Sequence, residues 1–163
     1  MKNLDFLTYL NVNVKTCTYI WKKLKKMSTK FKLLGSQPAC IDLSLLLIRL
    51  AAGGFMFTHG FGKLQKLVNG NFEFGDPIGL GPEISLGLTV FAEILCAFLV
   101  LVGIFTRLAA IPLIITMLVA VFIVHGGDDF GKKELGLFYL INYFVLFLSG
   151  AGKYSLDRLI LKK

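Results

Sequence analysis

The fold class predicted by the sequence is all-α: a bundle of four transmembrane helices with both termini cytoplasmic. Three observations predict it. The 163 residues are 55% hydrophobic and 17% charged, with a mean hydropathy of +0.71, which is too apolar for one soluble domain. Four windows, at about 42–63, 84–105, 107–125 and 135–151, reach the roughly 17–25 apolar residues needed to cross ~30 Å of hydrocarbon. Long period-two segments are lacking, so no barrel is predicted, and helices must satisfy the backbone within the bilayer.

Residues 1–40 form a separate N-terminal extension, ahead of a membrane domain spanning 41–160. In the extension, Phe6, Leu10, Val14, Cys17, Trp21, Leu24 and Met27 recur every three or four residues, with Lys15, Lys22 and Lys26 opposite them. That stripe suits an amphipathic helix lying on the inner leaflet. A second reading is that Met27 opens the chain proper, starting "MSTKFKLLGSQPAC". No cleavable signal pattern is visible, and Pro38 ends any preceding helix before the first span.

Eight lysines and a single acid, Asp5, precede residue 41, and Lys153, Arg158, Lys162 and Lys163 follow the fourth window. By the positive-inside rule both termini then face the cytoplasm. The formal charge of +8 is a consequence of topology, with anionic lipid as its counter-charge, and no aromatic–basic motif points to nucleic acid.

The first window contains "RLAAGGFMFTHGFGKL", residues 49–64, an apolar run with three ionisable side chains, Arg49, His59 and Lys63. Charges inside a membrane are costly and need partners. Counting depth along the helices brings Arg49 within reach of Glu93 in the second window, so these two are expected to pair. Such a pair serves either function or helix register. Lys63 is expected to snorkel to the outer headgroups. His59 and His125 lie at similar outer depth, which permits three uses: bonding a quinone carbonyl, with Glu93 as proton acceptor; clamping a haem, or a metal with Asp128, Asp129 or Glu134; or simple contact with headgroups. Among the three cysteines there is no CxxC pair for thiol–disulfide relay. The segment "NGNFEFGDPIGLGPEIS" reads as an irregular cap over both histidines, ending in a helix start at Pro82 and Glu83. Asn142 in the fourth window is expected to bond to a neighbouring helix.

Taken together, "LLLIRLAAGGFMFTHGFGKL", "FGDPIGLGP", "VFAEILCAFLVLVGIFTRLAAIPLIITML", "VHGGDDF" and "GKYSLD" closely resemble the DoxX family of small bacterial four-helix membrane proteins. The resemblance covers about residues 41–160. Its most specific parts are Arg49, His59, Gly60, Lys63 and Leu64, then Glu93, and the Gly103–Ala110 turn. The resemblance implies a subunit or partner of a membrane oxidoreductase linked to quinone, sulfur or oxidative stress. Arg49, His59, Lys63, Glu93 and His125 would line its cofactor pocket, with Glu93 and His59 as reacting groups, quinone ahead of haem as the ligand, and no metal. The other reading is a non-catalytic scaffold or assembly factor in which the same polar residues fix helix register.

Overall fold

The computed structural model describes residues 38–161; the expectations for residues 1–37, the amphipathic stripe among them, lie outside the described residues. Among the described residues every regular element is a helix. They are α1 (Pro38–Val68), α2 (Pro82–Val102), α3 (Thr106–Val124), α4 (Phe130–Ser149) and the short α5 (Leu156–Leu161). Of these, α1, α2 and α3 are long and apolar enough to cross a membrane. α4 has 20 residues, but Lys132, Lys133 and Glu134 occupy its first turns, so its apolar part begins only at Leu135.

α1 starts on Pro38, whose fixed φ suits the first helical position. It continues past the expected end at residue 63 and closes at Val68, where Lys66 in the last turn complements the helix dipole. Its buried face is Leu45, Arg49, Ala52 and Met56, spaced by four, three and four. The other faces leave Leu43, Leu47, Leu50 and Phe55 exposed, a pattern that suits lipid contact.

Lipid tails are as apolar as leucine, so helices in a bilayer associate by close packing and polar contacts. Gly53 and Gly60, seven residues apart on α1, supply the close packing. A Cβ built on Gly53 would lie 3.0 Å from the Ala97 carbonyl oxygen, and one on Gly60 would lie 2.9 Å from Glu93 Cβ. α2 is thus seated against the bare backbone of α1. Both α2 and α3 contain one π-helical turn, at Phe91–Cys96 and Val119–Val124.

The turn between α2 and α3 is tightly specified. Gly103 takes φ +76°, and the Gly103 and Ile104 N–H groups donate to the Val100 and Leu99 carbonyls, which is a Schellman ending. Phe105 follows at φ +47°, an uncommon conformation for a bulky residue. Asp157 stabilises it from a distance: its carboxylate accepts from the Phe105 N–H at 2.9 Å and the Thr106 N–H at 3.4 Å, capping α3 from the start of α5. The Asp157 N–H in turn donates to the Gly103 carbonyl. Asp42 ties the same end together by accepting from the Lys153 N–H at 2.8 Å.

Gly60→Val is expected to lower stability by about 1–3 kcal/mol through overpacking against α2. Gly62 has open space around it, so Gly62→Ala should leave the protein as stable or slightly more so. Thermal unfolding of both variants in detergent checks the contrast.

Candidate functional site

Glu93 sits in the π turn of α2 and is 3% exposed. Lys63 is three residues beyond Gly60 on the same face of α1, so the close contact at Gly60 brings it level with that carboxylate. Its ammonium donates to Glu93 Oε1 at 2.5 Å. Glu93 Oε2 is buried and has no partner among the described residues. The Lys63 side chain is 33% exposed, so the pair joins a buried acid to a half-buried base.

The pair borders a cavity of about 520 Å³, within the range of roughly 300–1,000 Å³ usual for small-molecule sites. Phe74 and Asp76 wall it from the loop, and Val119 and His125 from the end of α3. Both π turns border it, and such turns recur at functional sites. The Phe74 ring lies 6.0 Å from the Lys63 ammonium, a cation–π contact between loop and helix.

Asp76 folds the loop. Its two oxygens accept from the Leu80 N–H at 3.0 Å, the Gly81 N–H at 2.8 Å and the Ser85 hydroxyl at 3.0 Å. The Gly81 N–H above all, aided by the Ser85 hydroxyl and the Leu80 and Gly79 amides, holds the Asp76 carboxyl below the usual carboxylate range. On the opposite rim His125 Nδ1 shares a hydrogen bond with Asp128 Oδ2 at 2.8 Å. That bond, then Lys132, holds the Asp128 carboxyl low as well.

Three of the expected site residues, Lys63, Glu93 and His125, therefore share one cavity. Arg49 and His59 do not line it. The expected Arg49–Glu93 pair is absent: Arg49, 2% exposed, donates from Nη1 to the Ala151 carbonyl at 2.5 Å and from Nη2 to the Leu101 carbonyl at 3.5 Å. Leu101 is eight residues from Glu93, about 12 Å of helix rise, so Arg49 belongs to the level of the Gly103 turn. Lys63 does not snorkel, because α1 extends beyond it and Glu93 lies in reach. His59 is exposed and meets the Tyr139 ring edge-on at 6.2 Å. Tyr139 stacks on Tyr143, whose hydroxyl donates to the Ala52 carbonyl at 3.0 Å. Asn142 bonds to Phe138 of its own helix rather than to a neighbour. Among the described residues no three His, Cys, Asp or Glu side chains are grouped as metal ligands.

Sequence reasoning missed Asp76, Phe74 and Asp157 as organising residues. For Asp76 a signal existed, since an Asp–Pro step amid glycines favours a side chain bonding to nearby backbone.

A family model described as DoxX matches residues 44–126. A membrane protein of Mycobacterium tuberculosis is 32% identical over 143 residues, covering 74% of this chain and 83% of its own length. The chain belongs to the DoxX family. As a DoxX protein it is also similar to one from Haemophilus influenzae, 30% identical over 130 residues, covering 74% of this chain and 85% of that one. CatD of Bacillus subtilis, provisionally named an oxidoreductase, is 28% identical over 122 residues, covering 74% of this chain and 90% of its own. No solved structure matches. The DoxX match spans Arg49, His59, Lys63, Glu93 and His125, and ends before α4.

Lys63→Met should destabilise the protein by about 1–3 kcal/mol, between the losses typical of exposed and buried pairs, because it strands the Glu93 carboxylate. Adding Glu93→Gln should recover most of that loss, as read by thermal unfolding of the single and double variants. The loop has its own pH dependence. A carboxyl held below its usual value stabilises the folded loop above about pH 4 and loses that effect as pH falls through the folded value. Hydrogen-exchange protection of residues 76–85, taken relative to the intrinsic rate at each pH, should therefore fall on acidification in the wild type and already be low at neutral pH in Asp76→Ala.

Proposed function

We propose that this DoxX protein is a four-span subunit of a quinone-linked oxidoreductase in the bacterial cytoplasmic membrane, and that the Lys63–Glu93 cavity receives the quinone head. One observation carries the reading: a buried carboxylate oxygen without a partner, beside an ammonium group, in a mainly apolar cavity of ligand size. Ionisable groups inside a membrane are expensive, and their presence there argues for use.

The residues present fit such a ligand. A quinone supplies two carbonyl oxygens that become hydroxyls on reduction by two electrons and two protons. Lys63 Nζ is a donor toward one such oxygen, and its share in the Glu93 bond sets where that oxygen rests. Glu93 holds or passes a proton at Oε2, and His125 at the opposite rim is a second hydrogen-bonding group. The apolar side chains of Val119 and Ile123 keep bulk water from the ring. Electrons come from a redox subunit that docks on this one. His59 and Arg49 take supporting roles, His59 through Tyr139 and Arg49 through the backbone at the Gly103 turn.

The scaffold reading is favoured by Arg49, whose contacts with Ala151 and Leu101 pin α1 to α2 and to the segment after α4 with no ligand involved. Under that reading the Lys63–Glu93 pair is register only.

Extraction of lipids from the detergent-purified protein, with mass spectrometry, separates the two. Stoichiometric quinone in the wild type, lost in a folded Lys63→Met, Glu93→Gln double variant together with quinone-dependent electron flow in membranes, is the expected result. A quinone-free wild type and normal flow in the double variant would leave the scaffold. The topology is tested apart from this in a background without native cysteines. Asn69→Cys should react with an impermeant maleimide from outside the cell, and Lys153→Cys only after lysis.

A further inference from the structure

At the other end of the bundle a second cavity, of about 480 Å³, opens between the α2–α3 turn and α5. Its contents are those of an amphiphile site. Phe105, Leu108 and Ile160 line it and are each more than 60% exposed, so they present apolar surface that the protein itself leaves uncovered. Arg107 and Arg158 line it too. Arg107 spends one donor, Nη2, on the Leu148 carbonyl at 3.0 Å, and the Arg158 guanidinium has no partner among the described residues. Thr106, 1% exposed, is also among the lining residues, and its hydroxyl is buried just beneath them without a hydrogen bond among the described residues.

We propose that this cavity binds the phosphate-bearing head of an anionic phospholipid. Location comes first: the cavity sits where two membrane-length helices meet in a tight turn, which is the depth of lipid headgroups. Charge comes second. Two guanidinium groups face one carboxylate, Asp157, whose oxygens are already taken by the Phe105 and Thr106 N–H groups, so an incoming phosphate meets net positive charge. Guanidinium groups bind phosphate oxygens through paired, charge-assisted bonds, and the Thr106 hydroxyl gains the partner it lacks. A bare phosphate would use these donors yet gain nothing from Phe105, Leu108 and Ile160; an acylated one covers them. A choline head would set a second cation against the arginines, so the preference is for a lipid with net negative charge.

The site is independent of the quinone reading and needs only the membrane placement. The wild type, Arg158→Gln and Thr106→Val are exchanged into mixed phosphatidylglycerol–phosphatidylcholine nanodiscs, released, and the retained lipid is counted by native mass spectrometry. The exposed Arg158 guanidinium makes no hydrogen bond or ion pair among the described residues, so its variant is expected to keep the fold, which an unchanged melting temperature checks. The expected result is selective retention of phosphatidylglycerol by the wild type, about tenfold weaker in Arg158→Gln, weaker also in Thr106→Val, and unmoved by millimolar inorganic phosphate. Equal retention of both lipids, or retention unaltered in both variants, would overturn the proposal. Displacement by inorganic phosphate would overturn the lipid in favour of a small anion.

Discussion

The approach of α2 to the bare backbone of α1 at Gly60 is the constraint on which the site depends. With no Cβ at that position, Glu93 Cβ fits where any side chain would collide, and the carboxylate is carried into the bundle almost fully buried. Burial makes a partner necessary, and the helix supplies one: three residues on from a contact point is the same face, and that residue is Lys63. Gly53, two turns away, continues the contact, so the crossing of α1 and α2 is set by two glycines rather than by large apolar side chains. In lipid this is the expected economy, since apolar bulk gives no net preference for protein over acyl chain.

The architecture was largely legible because membrane spans are read from length and apolar content alone. α2 and α3 run from Pro82 to Val102 and from Thr106 to Val124, against expected windows of 84–105 and 107–125. Pairing was not legible to the same degree. Depth counted from presumed helix ends carries an error of a turn or more, enough to join Arg49 to Glu93 although Arg49 lies level with Leu101. The same error ended α1 at Lys63 and sent that side chain to the headgroups, whereas the helix continues to Val68. A better signal was present: glycines at 53 and 60 share a face with Lys63, and small residues in a membrane helix mark where a neighbour comes closest. The π turns at Phe91–Cys96 and Val119–Val124 were not foreseen from the sequence.

The two ends of the bundle handle polarity in different ways. At the Gly103 end, Asp42 and Asp157 are spent on backbone N–H groups, Arg49 on backbone carbonyls, and Arg107 on Leu148. These bonds join segments distant in sequence and hold a strained Phe105 in place, which is structural work. At the Glu93 end, backbone bonds go to the loop through Asp76, while the buried carboxylate keeps one oxygen free.

Exchange with the outside follows from the same geometry. Glu93 is nearly sealed, whereas its partner Lys63 is one-third exposed and lies beside Phe74 of the loop. On the quinone reading proposed above, a ligand oxygen bound for Glu93 from the loop side meets the Lys63 ammonium first. Phe74 belongs to that loop, and Asp76 of the loop accepts from Ser85 at the start of α2, the helix that carries Glu93. Any motion that lifts Phe74 from Lys63 thus acts on both walls of the cavity. The loop that covers Lys63 and the helix that buries Glu93 are thus tied together by hydrogen bonds as well as by the chain itself.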